Sequence, residues 1–295
     1  RSPNGHLWAA MVAANKVTVT RSTDGGATWG AAQDVVTGWT LFPTGTVALS
    51  VTGTTVVLLA TGNDGAGRAA LSIPQASASY AAASWTTETL PALASGITSD
   101  DHLSMTVAPD GRVLAAAKTT NGAANVQLLY LLVRSTGGVW SSSNIEIGPD
   151  DNPTEPGYTR PTITLTYDKV LVAYGSIYAP QSLSYRTTSL ASPGTWSARQ
   201  TLHAGPNFMD GAQTPCGVTV RTARGDFPIL AHQVTDGTIA LSWMASDALA
   251  APTIVYKVVG APTSDGFTVA VKSTGAQSVR IKSGSTYGTS GSVDG

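Results

Sequence analysis

Short runs in which apolar and polar residues alternate, separated by glycine or Asp-Gly turns, fill most of this chain. The clearest set runs from 102–107 through the turn Pro109-Asp110-Gly111-Arg112 to 113–117. It continues across a loop at 119–124 to 126–133, then over Gly137-Gly138 and Trp140 to 144–147. Alternation with a period of two, broken by turn residues, predicts four antiparallel strands in a meander. The same grammar recurs at 47–51, 55–60, 69–73 and the strand after Trp85. It recurs again at 162–166, 170–174, 182–186 and after Trp196, and once more at 217–220, 228–232, 238–243 and 253–259. The first set begins at its second strand, with 7–12, 16–20 and 34–36.

Trp29, Trp85, Trp140 and Trp196 follow one another at intervals of 56, 55 and 56 residues. A constant period filled with short strands means one small sheet repeated around an axis. The predicted fold is therefore an all-β propeller of four-stranded antiparallel blades, with five repeats counted and six possible. The propeller spans 1–260, with blades at about 6–38, 45–92, 100–148, 160–204 and 215–260. The first blade lacks its inner strand, and 266–272 is expected to complete it, hiding an edge that would otherwise pair with other chains. Alternatively, 261–295 begins an immunoglobulin- or fibronectin-like module or a sixth blade, and its Gly/Ser-rich tail is expected to be loose.

Composition narrows the partners. Of 295 residues only 12% are charged, the formal net charge is −1, and no Lys/Arg cluster occurs. That argues against a nucleic-acid or anionic-membrane surface. No apolar run approaches the ~20 residues of a membrane helix, so membrane insertion is not expected. One cysteine, Cys216, rules out an intrachain disulfide and reads as a small buried residue. The chain begins Arg1-Ser2-Pro3, without methionine or a signal pattern, which reads as a mature or trimmed product. Nucleotide-binding glycine fingerprints, zinc spacing and G-x-S-x-G are absent, so no cofactor and no metal are expected.

The run Ser22-Thr23-Asp24-Gly25-Gly26-Ala27-Thr28-Trp29 has the pattern S-x-D-x-G-x-T-W. It resembles the Asp-box, or BNR repeat, of the sialidase superfamily of β-propellers. Degenerate echoes stand at 134–140, which lacks the aspartate, and at 192–196. The resemblance implies that the box caps the turn between third and fourth strands on the outer rim. Its chemistry suits that place: Asp24 accepts backbone N–H bonds, the glycines permit φ > 0, and Trp29 packs between blades. Ser22, Asp24, Gly26, Thr28 and Trp29 are thus read as structural. Arg21, Arg134 and Arg186 end equivalent third strands and read the same way.

Ligand chemistry is expected at the stretches before the first strands and in the loops joining second to third strands, which share one mouth of a propeller's channel. Asp100-Asp101-His102 sets paired carboxylates beside an imidazole, suited to acid–base work or, alternatively, to capping a strand as an Asx turn. Arg160 resembles the arginine before an inner strand of sialidases and would clamp a carboxylate, unless it pairs with Asp150, Asp151 or Glu155. Tyr158 is a sugar platform or, by the resemblance, a nucleophile partnered by Glu155; Asp210 is a third carboxylate or a turn former. Trp39, Arg68, Tyr178, Gln181 and His232 complete the binding set, with Lys118 nearby. Departures from a sialidase are clear: only Arg160 of the three arginines is placed by motif, and five repeats fall short of six.

The leading expectation is a secreted bacterial propeller, monomeric as a domain, that binds a glycan or polysaccharide as the adhesion module of a larger protein. The alternatives are an active carbohydrate enzyme, either an exo-glycosidase or a polysaccharide lyase, and a non-catalytic protein–protein platform.

Overall fold

A computed structural model describes residues 4–13, 15–38, 46–62, 67–120, 127–148, 157–166, 168–176, 182–204, 216–222, 225–233, 238–243, 253–257, 267–274, 276–283 and 286–287. For some strand residues, Asp101, His203, Cys216 and His232 among them, the backbone alone is described. The chain divides into two units, Arg1–Asp150 and Asp151–Gly295.

The first unit holds three antiparallel sheets. One comprises β1 (Leu7–Ala13), β2 (Lys16–Ser22) and β3 (Gln33–Val36). The next comprises β4 (Thr46–Thr52), β5 (Thr55–Thr61), β6 (Arg68–Pro74) and β7 (Thr86–Glu88). The third comprises β8 (Thr98–Val107), β9 (Val113–Thr120), β10 (Gln127–Arg134) and β11 (Trp140–Ile147). Each is a meander in chain order, as the turn spacing predicts.

The middle strands are more apolar than alternation requires, because they are buried on both faces. Val56, Leu58 and Ala60 of β5 join Val17 and Val19 in a core with the first sheet. Their neighbours Val57 and Leu59 point the other way, into a core with Val113, Ala115, Ala117 and Leu132 of the third sheet. Successive side chains of a strand leave on opposite faces, so a strand sandwiched by two sheets must be apolar at every position. Each fully buried Val or Leu contributes about 1.5–3 kcal/mol, which makes these strands the main source of stability.

Turns are set by glycine where φ must be positive. Gly111 has φ +88 and closes the β8–β9 turn, its N–H bonding Ala108 O at 3.0 Å. Its own carbonyl accepts from Thr52 Oγ1 of the neighbouring sheet.

The second unit repeats the plan with β12 (Tyr158–Leu165), β13 (Lys169–Ser176), β14 (Ser182–Ser189) and β15 (Gln200–Ala204) in one sheet. A second sheet has β16 (Cys216–Thr222), β17 (Gly225–Gln233), β18 (Thr238–Trp243) and β19 (Thr253–Lys257). A third has β20 (Phe267–Thr274), β21 (Ala276–Ser283) and β22 (Thr286–Tyr287). First strands pack in series: β12 against β16, and β16 against β20. The segment expected either to complete the first sheet or to begin a further one holds β20. β20 pairs with β21 in a sheet of its own, and the first sheet keeps three strands among the described residues.

The tryptophans keep their beat but not their burial. Trp85 and Trp140 are 8% and 6% exposed, whereas Trp29 is 46% exposed, contrary to the expectation that it packs between blades. Trp85 has the first sheet to rest on, meeting Trp8 edge-on at 6.2 Å. Within its unit no sheet precedes the one that carries Trp29.

Candidate functional site

The first strand of the third sheet does not run straight. Its ladder steps from Ser99↔Thr119 to Leu103↔Ala117, so residues 100–102 together face the single residue Lys118. Extra residues on one strand bend it and re-aim its side chains. Here the bulge delivers Asp100 and His102 beside Lys118, which is only 3% exposed. A buried ammonium needs a counter-ion, and Asp100 Oδ2 lies 2.7 Å from Lys118 Nζ. Thr120 Oγ1 donates to the same oxygen at 2.9 Å. The other oxygen, Oδ1, is 2.5 Å from His102 Nδ1. A carboxylate only accepts, which assigns the proton to Nδ1 and fixes the ring. Side-chain exposure is 8% for Asp100 and 20% for His102, so solvent reaches the imidazole more than the carboxylate.

The cluster is anchored at both ends. Ser99 Oγ lies 2.9 Å from the carbonyls of Gly62 and Gly67, tying the start of β8 to the second sheet. Arg68, expected to face ligand, instead bonds the Pro91 carbonyl and lays its guanidinium over the Tyr130 ring at 5.8 Å. Burial pushes the Tyr130 hydroxyl up; Arg68 opposes the shift and Asp100 adds to it. Lys118 was placed near the site by sequence, but Tyr130 and Thr120 were missed. The sequence expects Lys118 in the loop joining second to third strands; it stands inside β9, a lone cation after an apolar run.

In the second unit β12 opens with a bulge too. The ladder steps from Thr159↔Gly175 to Thr162↔Ala173, leaving Arg160 and Pro161 opposite Tyr174. Arg160 has φ +54, and among the described residues no other non-glycine has positive φ. That conformation costs about 1–2 kcal/mol, and a following proline disfavours helical backbone further. Such strain collects at functional positions. Tyr158 is not an open platform. It is 7% exposed, meets Tyr174 edge-on at 5.3 Å and lies under the Arg199 guanidinium at 4.7 Å.

The turn at 22–29 is built as its residue types require. Asp24 Oδ1 accepts from Thr28 N at 2.9 Å and Ser22 Oγ at 2.7 Å, and Oδ2 accepts from Thr28 Oγ1 at 2.5 Å. Those bonds, the Thr28 hydroxyl first, hold its carboxyl far below the usual carboxylate range. Gly26, at φ +100, donates its N–H to Ser22 Oγ at 2.8 Å. Arg21 and Arg186 bond backbone carbonyls, of Ser77 and Ser197 respectively, in keeping with a structural reading.

Trp39, Tyr178, Gln181 and Asp210 lie outside the described residues, as do the side chains of Asp101 and His232. In its backbone His232 pairs with Ala240. Asp100, His102 and Lys118 are thus brought together in the first unit; Tyr158 and Arg160 lie at the start of β12 in the second.

No protein-family model and no curated protein matches the chain. Solved structures do. The α-L-arabinanase of Penicillium chrysogenum complexed with arabinobiose superposes with a TM-score of 0.57 at 13% identity, over 83% of this chain and 77% of that one. A triple mutant of AofleA from Arthrobotrys oligospora gives 0.53 at 11% identity, over 99% and 88%. Trypanosoma rangeli sialidase with the inhibitor DANA also gives 0.53 at 11%, over 94% of this chain and 51% of its own length. With the four-stranded meanders, these likenesses decide the architecture. The fold is an all-β propeller. Among the described residues its sheets are antiparallel, four of them with four strands and the first and last with three. This chain spans about half of the sialidase.

Proposed function

We propose that this propeller recognises glycans at the bulged start of β8, and acts as a binding module. The observation that carries the reading is the bulge in β8, which fixes His102 on a buried Asp100–Lys118 pair. Sugars present hydroxyls that donate and accept, and they are bound best by polar groups held in place beforehand. In the second unit the start of β12 is bulged and strained in a like way, at Arg160. Binding is favoured over catalysis because Asp100 already serves an ammonium, a hydroxyl and an imidazole. A carboxylate so engaged is a positioning group rather than a general acid. The similar arabinanase and sialidase structures hold an arabinobiose and an inhibitor, which supports a carbohydrate ligand. We read the 22–29 turn as an Asp-box, and the protein as a secreted bacterial module, monomeric as a domain.

A glycan array followed by calorimetry tests this. Wild type should show saturable binding that His102→Ala weakens roughly tenfold, about 1.4 kcal/mol. A blank array at millimolar ligand would end the reading and leave a protein–protein platform. Cleavage of any arrayed glycan by wild type, abolished in Asp101→Asn, would replace it with a glycosidase or lyase.

A further inference from the structure

A groove of about 800 Å³ opens between the outer strands of the second and third sheets. Its walls are rich in hydroxyls, with Thr86, Thr87 and Thr89 on one side and Ser141 and Ser142 on the other. Arg134 and Glu88 line it as a two-pronged pair: Nε to Oε2 at 2.7 Å and Nη2 to Oε1 at 2.5 Å. Trp140 Nε1 donates to Oε2 at 2.7 Å. The paired side chains are 7% and 8% exposed. Burial pushes the Glu88 carboxyl up, but the bonds from Arg134, Ser72 and Trp140 outweigh it and hold the group below its usual value.

Four properties choose the ligand. The pair cancels its own charge, so neither an anion nor a cation is selected. Arg134 directs three of its five N–H groups to Glu88 and Ser135, leaving two for an incoming acceptor. Gly138, at φ +86, keeps the flank of the pair open. A Cβ there would meet Arg134 Nη2 at 3.3 Å and Glu88 Oε1 at 3.6 Å. The volume lies within the range of about 300–1,000 Å³ usual for small-ligand sites. A neutral polyol fits these terms, since each hydroxyl accepts from a guanidinium and exchanges bonds with threonine and serine.

We propose that this groove is a second saccharide site, taking a neutral sugar unit by hydrogen bonds from Arg134 and the wall hydroxyls. It does not depend on the strand-start reading and can hold or fail without it. The indole N–H of Trp140 reports on the groove directly. Its cross-peak in a ¹⁵N–¹H spectrum is to be followed while free glucose, galactose, mannose, fucose, arabinose and lactose are each added to tens of millimolar. At least one sugar should move that peak saturably. Thr87→Trp, which fills the groove from an exposed wall position, should weaken the effect roughly tenfold while the other indole peaks stay in place. Should Thr87→Trp not fold, Ser142→Trp fills the opposite wall to the same end. A Trp140 peak unmoved by every sugar, or a filled groove that binds as tightly as wild type, overturns the proposal.

Discussion

Two seams in the first unit are built from the same repeat position and come out unlike. Where the first sheet meets the second, Arg21 lies 5.3 Å over Trp8 and 5.0 Å over Tyr80, and gives its N–H groups to the carbonyls of Ser77 and Ala78. Trp8 meets both Tyr80 and Trp85 edge-on, and the seam is shut. Even a Cβ on Gly30 would strike Tyr80 Oη at 2.3 Å. Where the second sheet meets the third, Arg134 finds a carboxylate instead of aromatic rings, and a groove stays open beside it. The repeat fixes the arginine; its partners decide what it does, rings and carbonyls at Trp8 and 77–80 in one seam and Glu88 of β7 in the other. A seam closed by rings draws its strength from area, one closed by charge from pairing.

Removing the apolar keystone should therefore cost most. Trp85→Ala is expected to lose about 3–5 kcal/mol in urea melts; a loss below 1 kcal/mol would mean the first seam does not rest on its rings. Next come the arginines. Arg134→Ala should cost about 3 kcal/mol, because it strands a buried carboxylate. Arg21→Ala should cost nearer 1 kcal/mol, the worth of a cation–π contact with neutral hydrogen bonds. Replacing both partners, Glu88→Leu with Arg134→Met, should recover most of the larger loss, and equal costs for the two arginines would erase the contrast. The smallest effect lies in the acid limb. The folded Glu88 carboxyl sits below its ordinary 4.5, so its contribution is fully present above that pH and is lost as pH falls through the lower folded value. Wild type should lose more stability than Glu88→Gln on going from pH 5 to pH 3, and parallel pH curves would count against the pairing.

Local signals were legible. Alternation and Asp-Gly turns placed the strands, and the S-x-D-x-G-x-T-W pattern foretold that Asp24 accepts a backbone N–H, that of Thr28, but not its bonds to the Ser22 and Thr28 hydroxyls. Partners distant in sequence were not. Glu88 and Arg134 stand 46 positions apart, and Lys118 and Asp100 stand 18 apart. Only the register of neighbouring strands and sheets brings them together. Arg68 looked like a ligand group because it closes the loop joining second to third strands, yet the aromatic ring it covers lies on β10 of the next sheet. Trp29 matched its repeat mates in spacing, but burial depends on a facing sheet, which spacing does not encode.

The two-faced burial of β5 carries an evolutionary consequence. A repeat cut out alone would bare greasy surfaces front and back, so it has no stable life as a separate fold. Blades of this kind can be gained or lost only alongside a neighbour able to cover them. The margins carry no such demand: the turns at 134–140 and 192–196 depart from the pattern at 22–29, while the strands between two neighbours stay oily.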